Sequence, residues 1–219
     1  MNKTSVPAWA KERAMCSFSG LESSTTALLV VDLQNYFMVP GQARANPNTE
    51  AIVPNVNRIA DQLRARGGHV AWCRHTMVDE GPGRLPEWLA HRETGSYAEA
   101  RSALTPGNFG HELHKSLHVD TVDLVFDKYR YSAFVNAGLD LDAHLKSKNI
   151  DTVIVTGTVT GICCESTARD ALMRDYRVFF ITDATSAATD DEHNAALVNL
   201  QIAIATLCTT AEVLSLIES

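Results

Sequence analysis

Three residues of this sequence could together carry out nucleophilic chemistry: Asp32, Lys128 and Cys163, a carboxylate, an ammonium and a thiol. Each follows a short apolar run: Asp32 after 27–31, Lys128 after 123–126, and Cys163 after a run that begins at Val153 and breaks at Gly157. A thiol becomes a useful nucleophile when a base takes its proton, a cation holds that base, and N–H groups receive the oxyanion formed by attack. The segment Val153-Ile-Val-Thr-Gly-Thr-Val-Thr-Gly-Ile-Cys-Cys-Glu-Ser-Thr167 reads as a buried strand, a tight turn and then a helix. Cys163 is therefore expected at or beside a helix N-terminus, where unpaired N–H groups and the helix dipole lower a thiol pKa. Taken singly, each residue has a plainer reading. A free cysteine is usually a small buried hydrophobe, and an aspartate after a strand is usually a loop or cap residue. Their shared position just past strand ends favours the chemical reading.

The elements that must position these residues follow from hydrophobic periodicity. Strands are expected at 27–31, 69–74, 123–126, 153–155, 178–182 and 207–208. Between them, Ile52, Val56, Ile59, Ala60 and Leu63 recur at helical spacing until Gly67-Gly68 stops them. Further helices are expected over 138–146, from Cys163 onward, over 190–206 and from Thr210. Residues 79–118 are irregular, broken by Pro82, Pro86 and Pro106, with one short helix near 86–92. Strands alternating with helices predict a three-layer α/β/α fold with a six-stranded, mainly parallel, Rossmann-like sheet. Ligands of such sheets sit beyond the carboxyl ends of the strands, where the strand order reverses. Residues 1–24 are expected to form an N-terminal arm and 25–219 the single domain that it wraps, or whose neighbouring subunit it wraps.

Composition narrows the function classes. Of 219 residues, 45% are hydrophobic and 21% charged, which fits a globular domain and excludes a disordered chain. A net charge of −7 with no basic cluster argues against nucleic acid as a partner. No apolar run approaches spanning length, so no membrane partner is expected, and residues 1–24 lack the apolar h-region expected of a signal peptide. The five cysteines, at 16, 73, 163, 164 and 208, are odd in number and irregular in spacing, which suits reduced thiols in a cytoplasm. His111, His114 and His118 recur closely, but their segment is polar and irregular and neither Asp32 nor its neighbours offer an Asp-x-His pair, so no metal site is expected. Tyr36, Phe37, Trp72, Tyr131 and Phe134 are candidates to line a substrate pocket.

Together these pieces make the chain resemble the isochorismatase-like cysteine hydrolases, a superfamily that includes nicotinamidases, N-carbamoylsarcosine amidohydrolase and ureidoacrylate amidohydrolase. The resemblance rests on Leu28-Leu-Val-Val-Asp-Leu-Gln-Asn35, Asp127-Lys-Tyr-Arg-Tyr-Ser-Ala-Phe134 and Thr156-Gly-Thr-Val-Thr-Gly-Ile-Cys-Cys-Glu-Ser-Thr-Ala-Arg-Asp170. It implies an Asp–Lys–Cys triad on Asp32, Lys128 and Cys163, with Cys164 packed toward the sheet. It also implies a cis peptide between Val159 and Thr160, and an oxyanion site formed by the N–H groups of Thr160 and Cys163. Hydrolysis of a C–N bond in a small amide, ureide or N-carbamoyl compound, through a thioester and without cofactor, is the expected activity, in a homo-oligomer (dimer or tetramer). The alternatives are an isochorismatase-type vinyl-ether hydrolase, or a catalytically silent thiol-sensing or interaction protein on the same fold.

Overall fold

The computed structural model describes residues 1–84, 86 and 96–218. The short helix expected near 86–92 lies largely outside the described residues. Six strands form one sheet: β1 (Thr26–Val31), β2 (His69–His75), β3 (Leu124–Lys128), β4 (Thr152–Thr158), β5 (Arg177–Ser186) and β6 (Thr206–Cys208). Their order is β3-β2-β1-β4-β5-β6, and every pairing is parallel. The order reverses between β1 and β4. Asp32 and the turn leading to Cys163 therefore leave the sheet side by side.

Every residue of β1 and β4 is buried, which is why both read as unbroken apolar runs rather than alternating ones. Alternation nevertheless sorts their side chains. Ala27, Leu29, Val31, Val153 and Val155 pack with the helices Leu141–Ser147, Glu165–Leu172 and Asp190–Ala203. Leu28, Val30, Trp72, Ile154 and Phe179 pack on the other face, with Val53–Ala65 and Thr210–Glu218. At the junction Val31 pairs with Gly157, whose φ is +112°. A Cβ there would run into the Val31 backbone, so only glycine lets β4 lie against β1 at this point.

Several boundaries move for identifiable reasons. β3 continues through Lys128 because Arg74 and His75 extend its ladder, so the lysine ends the strand instead of following it. The helix expected from 138 starts at Leu141, where the Asp140 side chain accepts the Ala143 N–H. The helix Asp190–Ala203 opens with a reciprocal Thr189/Glu192 capping box and stops before Thr206 joins β6. The arm lies back along this helix and reaches the β6 edge, with Met15 N–H donating to Ile202 O (2.8 Å) and Phe18 N–H to Thr206 Oγ1 (2.9 Å). Among the described residues no helix is long and apolar enough to cross a membrane.

Candidate active site

At the end of β1 the chain turns at Asp32 with a φ of +56°, a left-handed conformation that aspartate tolerates better than most residues. The turn is pinned by Asp32 N–H to Cys73 O (3.0 Å) and Gln34 N–H to Asp32 O (2.8 Å), and the residue is 1% exposed. Lys128 approaches from β3, two strands away. Neighbouring strands are roughly 4.8 Å apart, so only a long side chain can cross β2 to reach the end of β1. Lys128 does so completely buried, placing Nζ 2.8 Å from Asp32 Oδ2, 3.1 Å from Arg130 O, 3.3 Å from His75 Nδ1 and 3.4 Å from Cys163 Sγ. The three protons of the ammonium match Arg130 O, His75 Nδ1 and Cys163 Sγ, and Asp32 lies beside it in charge contact.

The electrostatics follow from burial. Loss of water works against the Lys128 ammonium, but Asp32 together with the Cys163 and Cys73 sulfurs outweighs it and holds the lysine charged. Burial raises the Asp32 pKa, while Lys128 and the Cys163 thiol pull it down. Neither Asp32 oxygen accepts a well-directed hydrogen bond among the described residues, so the pair is a charge contact that leaves lone pairs available. His75 is neutral, its pKa driven well below the ordinary value by burial and then by Lys128, which fits its ring nitrogen accepting from the ammonium.

The expectation of a lowered thiol pKa is overturned. Cys163 is pushed up to about 12 by burial, with Lys128 opposing and the Asp32 charge adding to the rise. The regular helix begins only at Glu165, and Cys163 lies in a wider π-turn, Thr160–Cys164, so no ordinary helix N-terminus faces its sulfur. Cys163 therefore rests as a neutral thiol beside a carboxylate. Cys164 points into the core, its Sγ 3.8 Å from Thr156 O.

The cis peptide bond is Thr158–Val159, one position before the expected Val159–Thr160. Thr158 still pairs with Ser186 in the sheet, so the next bond is the first one free of the ladder. Beyond it, Ile162 and Cys164 N–H groups both turn back to Val159 O (3.0 and 3.3 Å), while the Thr160 hydroxyl meets His193 Nδ1 at 2.8 Å.

The aromatic candidates separate. Phe37 lines a cavity of about 740 Å³ with Arg44, Asn46, Val159, Gly161 and Ile162; the cavity lies along the outer flank of the π-turn, and Cys163 is not in its wall. Tyr36 sits beneath, edge-on to Phe37 at 5.1 Å, and Tyr131 is exposed after β3. Trp72 is not a pocket residue: strand alternation turns it to the opposite face from Cys73, fully buried, with Nε1 donating to Asp123 Oδ2 (2.8 Å). Phe134 is likewise core, stacked near Tyr176 beneath the Arg174 guanidinium.

The three spaced histidines go separate ways. His111 contacts Thr76 and Asp127, His114 Ser116, and His118 Asp61. Among the described residues no group of three or more His, Cys, Asp or Glu side chains is arranged to hold a metal ion. Gln34 and His193 are not candidates that the sequence singles out. Gln34 donates to His75 O and His111 O and accepts the His75 N–H, tying the ends of β1 and β2 together. Its place two residues after Asp32 was the available signal; His193, within a helical run, carried none.

A family model described as the isochorismatase domain matches residues 26–212. The chain is 32% identical over 197 residues to a ureidoacrylate amidohydrolase, RutB, of Methylobacterium radiotolerans, covering 83% of this chain and 75% of that protein. It is also 32% identical over 188 residues to nicotinamidase 3 of Arabidopsis thaliana, with 84% and 85% covered. A cysteine hydrolase from Pseudomonas syringae pv. phaseolicola superposes with a TM-score of 0.79 at 28% identity, over 93% of this chain and 96% of that one. With the strand order, the buried carboxylate, ammonium and thiol, and a family match across the whole sheet, this chain belongs to the isochorismatase family and is a hydrolase.

Proposed function

We propose that the protein hydrolyses a C–N bond of a small amide, ureide or N-carbamoyl compound, with Cys163 as nucleophile, Asp32 as proton carrier and Lys128 as the cation that positions them. The observation that carries this reading is one fully buried ammonium lying 2.8 Å from a carboxylate and 3.4 Å from a thiol. Asp32 takes the Cys163 proton as sulfur attacks the carbonyl carbon, and the carbonyl π electrons move onto oxygen. The N–H groups of Thr160 and Cys163 receive that oxyanion. When the C–N bond breaks, Asp32 returns its proton to the leaving nitrogen, and the acyl group remains on sulfur as a thioester. Water, deprotonated by Asp32, then releases the acid and the thiol. A base whose pKa is raised by burial is better matched to this cycle than an ordinary aspartate, because it binds the thiol proton more strongly and can still surrender it.

The raised Asp32 pKa also suits a second reading, in which Asp32 acts as general acid on a vinyl ether and the cysteine is a bystander. Release of ammonia or amine from a panel of primary amides, ureides and N-carbamoyl compounds separates the two. Cys163→Ala should abolish turnover and thioester formation, and Asp32→Asn should lower kcat by at least about a hundredfold. Amide turnover that survives Cys163→Ala, or a covalent adduct found on Cys164, would overturn the thioester mechanism. Vinyl-ether cleavage retained by Cys163→Ala and lost in Asp32→Asn would establish the second reading.

A further inference from the structure

Thr160 opens the π-turn that contains Cys163, and its hydroxyl is held from behind. Both Thr160 and His193 are completely buried, with Thr160 Oγ1 2.8 Å from His193 Nδ1. Burial keeps the imidazole neutral, so one ring nitrogen is an acceptor and the hydroxyl can donate to it. The far side of the ring is covered by the first residues of the chain. His193 Nε2 faces Thr4 Oγ1 at 3.5 Å. Around it, Asn2 Nδ2 and Lys3 N–H donate to Asp190 Oδ1 (3.2 and 3.0 Å), Ala187 N–H donates to Asn2 Oδ1 (2.9 Å), and Ser5 N–H donates to Asn194 Oδ1 (2.6 Å). Asn194 Nδ2 returns a bond to Lys3 O (2.9 Å). Residues nearly two hundred positions apart are thus stitched together over one histidine. Ordering a chain terminus costs backbone entropy, so these bonds oppose its tendency to fray.

We propose that His193 is a positioning residue for the Thr160 turn, and that residues 2–5 seal it there, making the N-terminal arm a working part of the oxyanion apparatus. The inference rests on the thioester reading for its kinetic consequence, but the physical link does not depend on it. Two reactions of Cys163 distinguish positioning of the turn from general damage. Alkylation by iodoacetamide forms an S–C bond and expels iodide with no oxyanion, whereas acylation by p-nitrophenyl acetate passes through one.

In His193→Leu, and in a chain lacking residues 1–5, amide hydrogen exchange across 158–164 should speed up by about tenfold or more. The p-nitrophenolate burst should slow by roughly tenfold to a hundredfold with little change in KM, while iodoacetamide alkylation stays within about twofold. His193→Asn, which retains an acceptor near the Nδ1 position, should recover most of both losses. Unchanged exchange in His193→Leu would overturn the proposal, as would a His193→Asn variant no better than His193→Leu, or an equal loss of alkylation and acylation. If the unaltered protein gives no burst, the thioester reading fails, and the exchange data with the His193→Asn rescue still decide whether His193 holds the turn.

Discussion

The two ends of the same strands carry similar charged groups with opposite consequences. At the amino end, Asp151 precedes β4 and accepts hydrogen bonds from Arg177 (2.9 Å), Thr152 (2.6 Å) and Thr25 (3.2 Å), with its side chain 56% exposed. Burial is the largest single influence and works against its charge, but Arg177 and the two threonines together outweigh it and hold the carboxyl below its ordinary range. At the carboxyl end, Asp32 contacts an equally close cation, yet its pKa rises because the surroundings are closed to water. Water, more than the partner, decides the sign. An exposed pair fastens strand starts, whereas the buried one keeps a proton acceptor under tension between desolvation and an ammonium.

Removing the cation at each end tests this contrast most strongly. Lys128→Met leaves a carboxylate enclosed without its partner and should cost about 3–5 kcal/mol of stability, the usual range for breaking a buried pair. Its amide turnover should fall to near background. Urea unfolding with kcat measured in parallel checks both, and a stability within about 1 kcal/mol of the parent would break the contrast.

The second test is the pH dependence of Cys163 alkylation. A thiol with its pKa raised to about 12 is almost wholly protonated at neutral pH. Its thiolate fraction, and hence its reactivity, should climb about tenfold per pH unit. The iodoacetamide rate should therefore keep rising from pH 7 to 10. A plateau below pH 8 would show that Lys128 outweighs burial and would reverse the assigned sign.

Smaller effects sharpen the comparison. Cys164→Ala removes a buried sulfur that contacts only the core and the Thr156 carbonyl; it should cost on the order of 1 kcal/mol and leave kcat near the parent value. Arg177→Gln breaks the exposed pair and should cost less than about 1 kcal/mol, a difference that shrinks further in high salt. A larger loss, or a change in kcat, would mean that the amino end is coupled to the site after all.

The sequence by itself determined the alternation of strands and helices and the three strand-end residues. These are legible because an enclosed parallel strand must be apolar throughout, a packed helix must repeat at its own period, and Gly157 must break the run where the backbones of β1 and β4 meet. Local pattern could not say which way Trp72 and Phe134 face, since a large aromatic suits a core and a pocket equally well. The family resemblance put the cis bond one position late, because where the ladder ends depends on the pairing of Thr158 with Ser186. Only the tertiary structure decided that Lys128 would cross β2 to touch Asp32 and Cys163, that His75 would accept from it, and that His193 would stand behind Thr160. Those meetings depend on strand order and register between residues far apart in the chain. The thiol's raised pKa depends on them too, because desolvation is set by everything that covers a group, and no stretch of sequence around Cys163 contains that information.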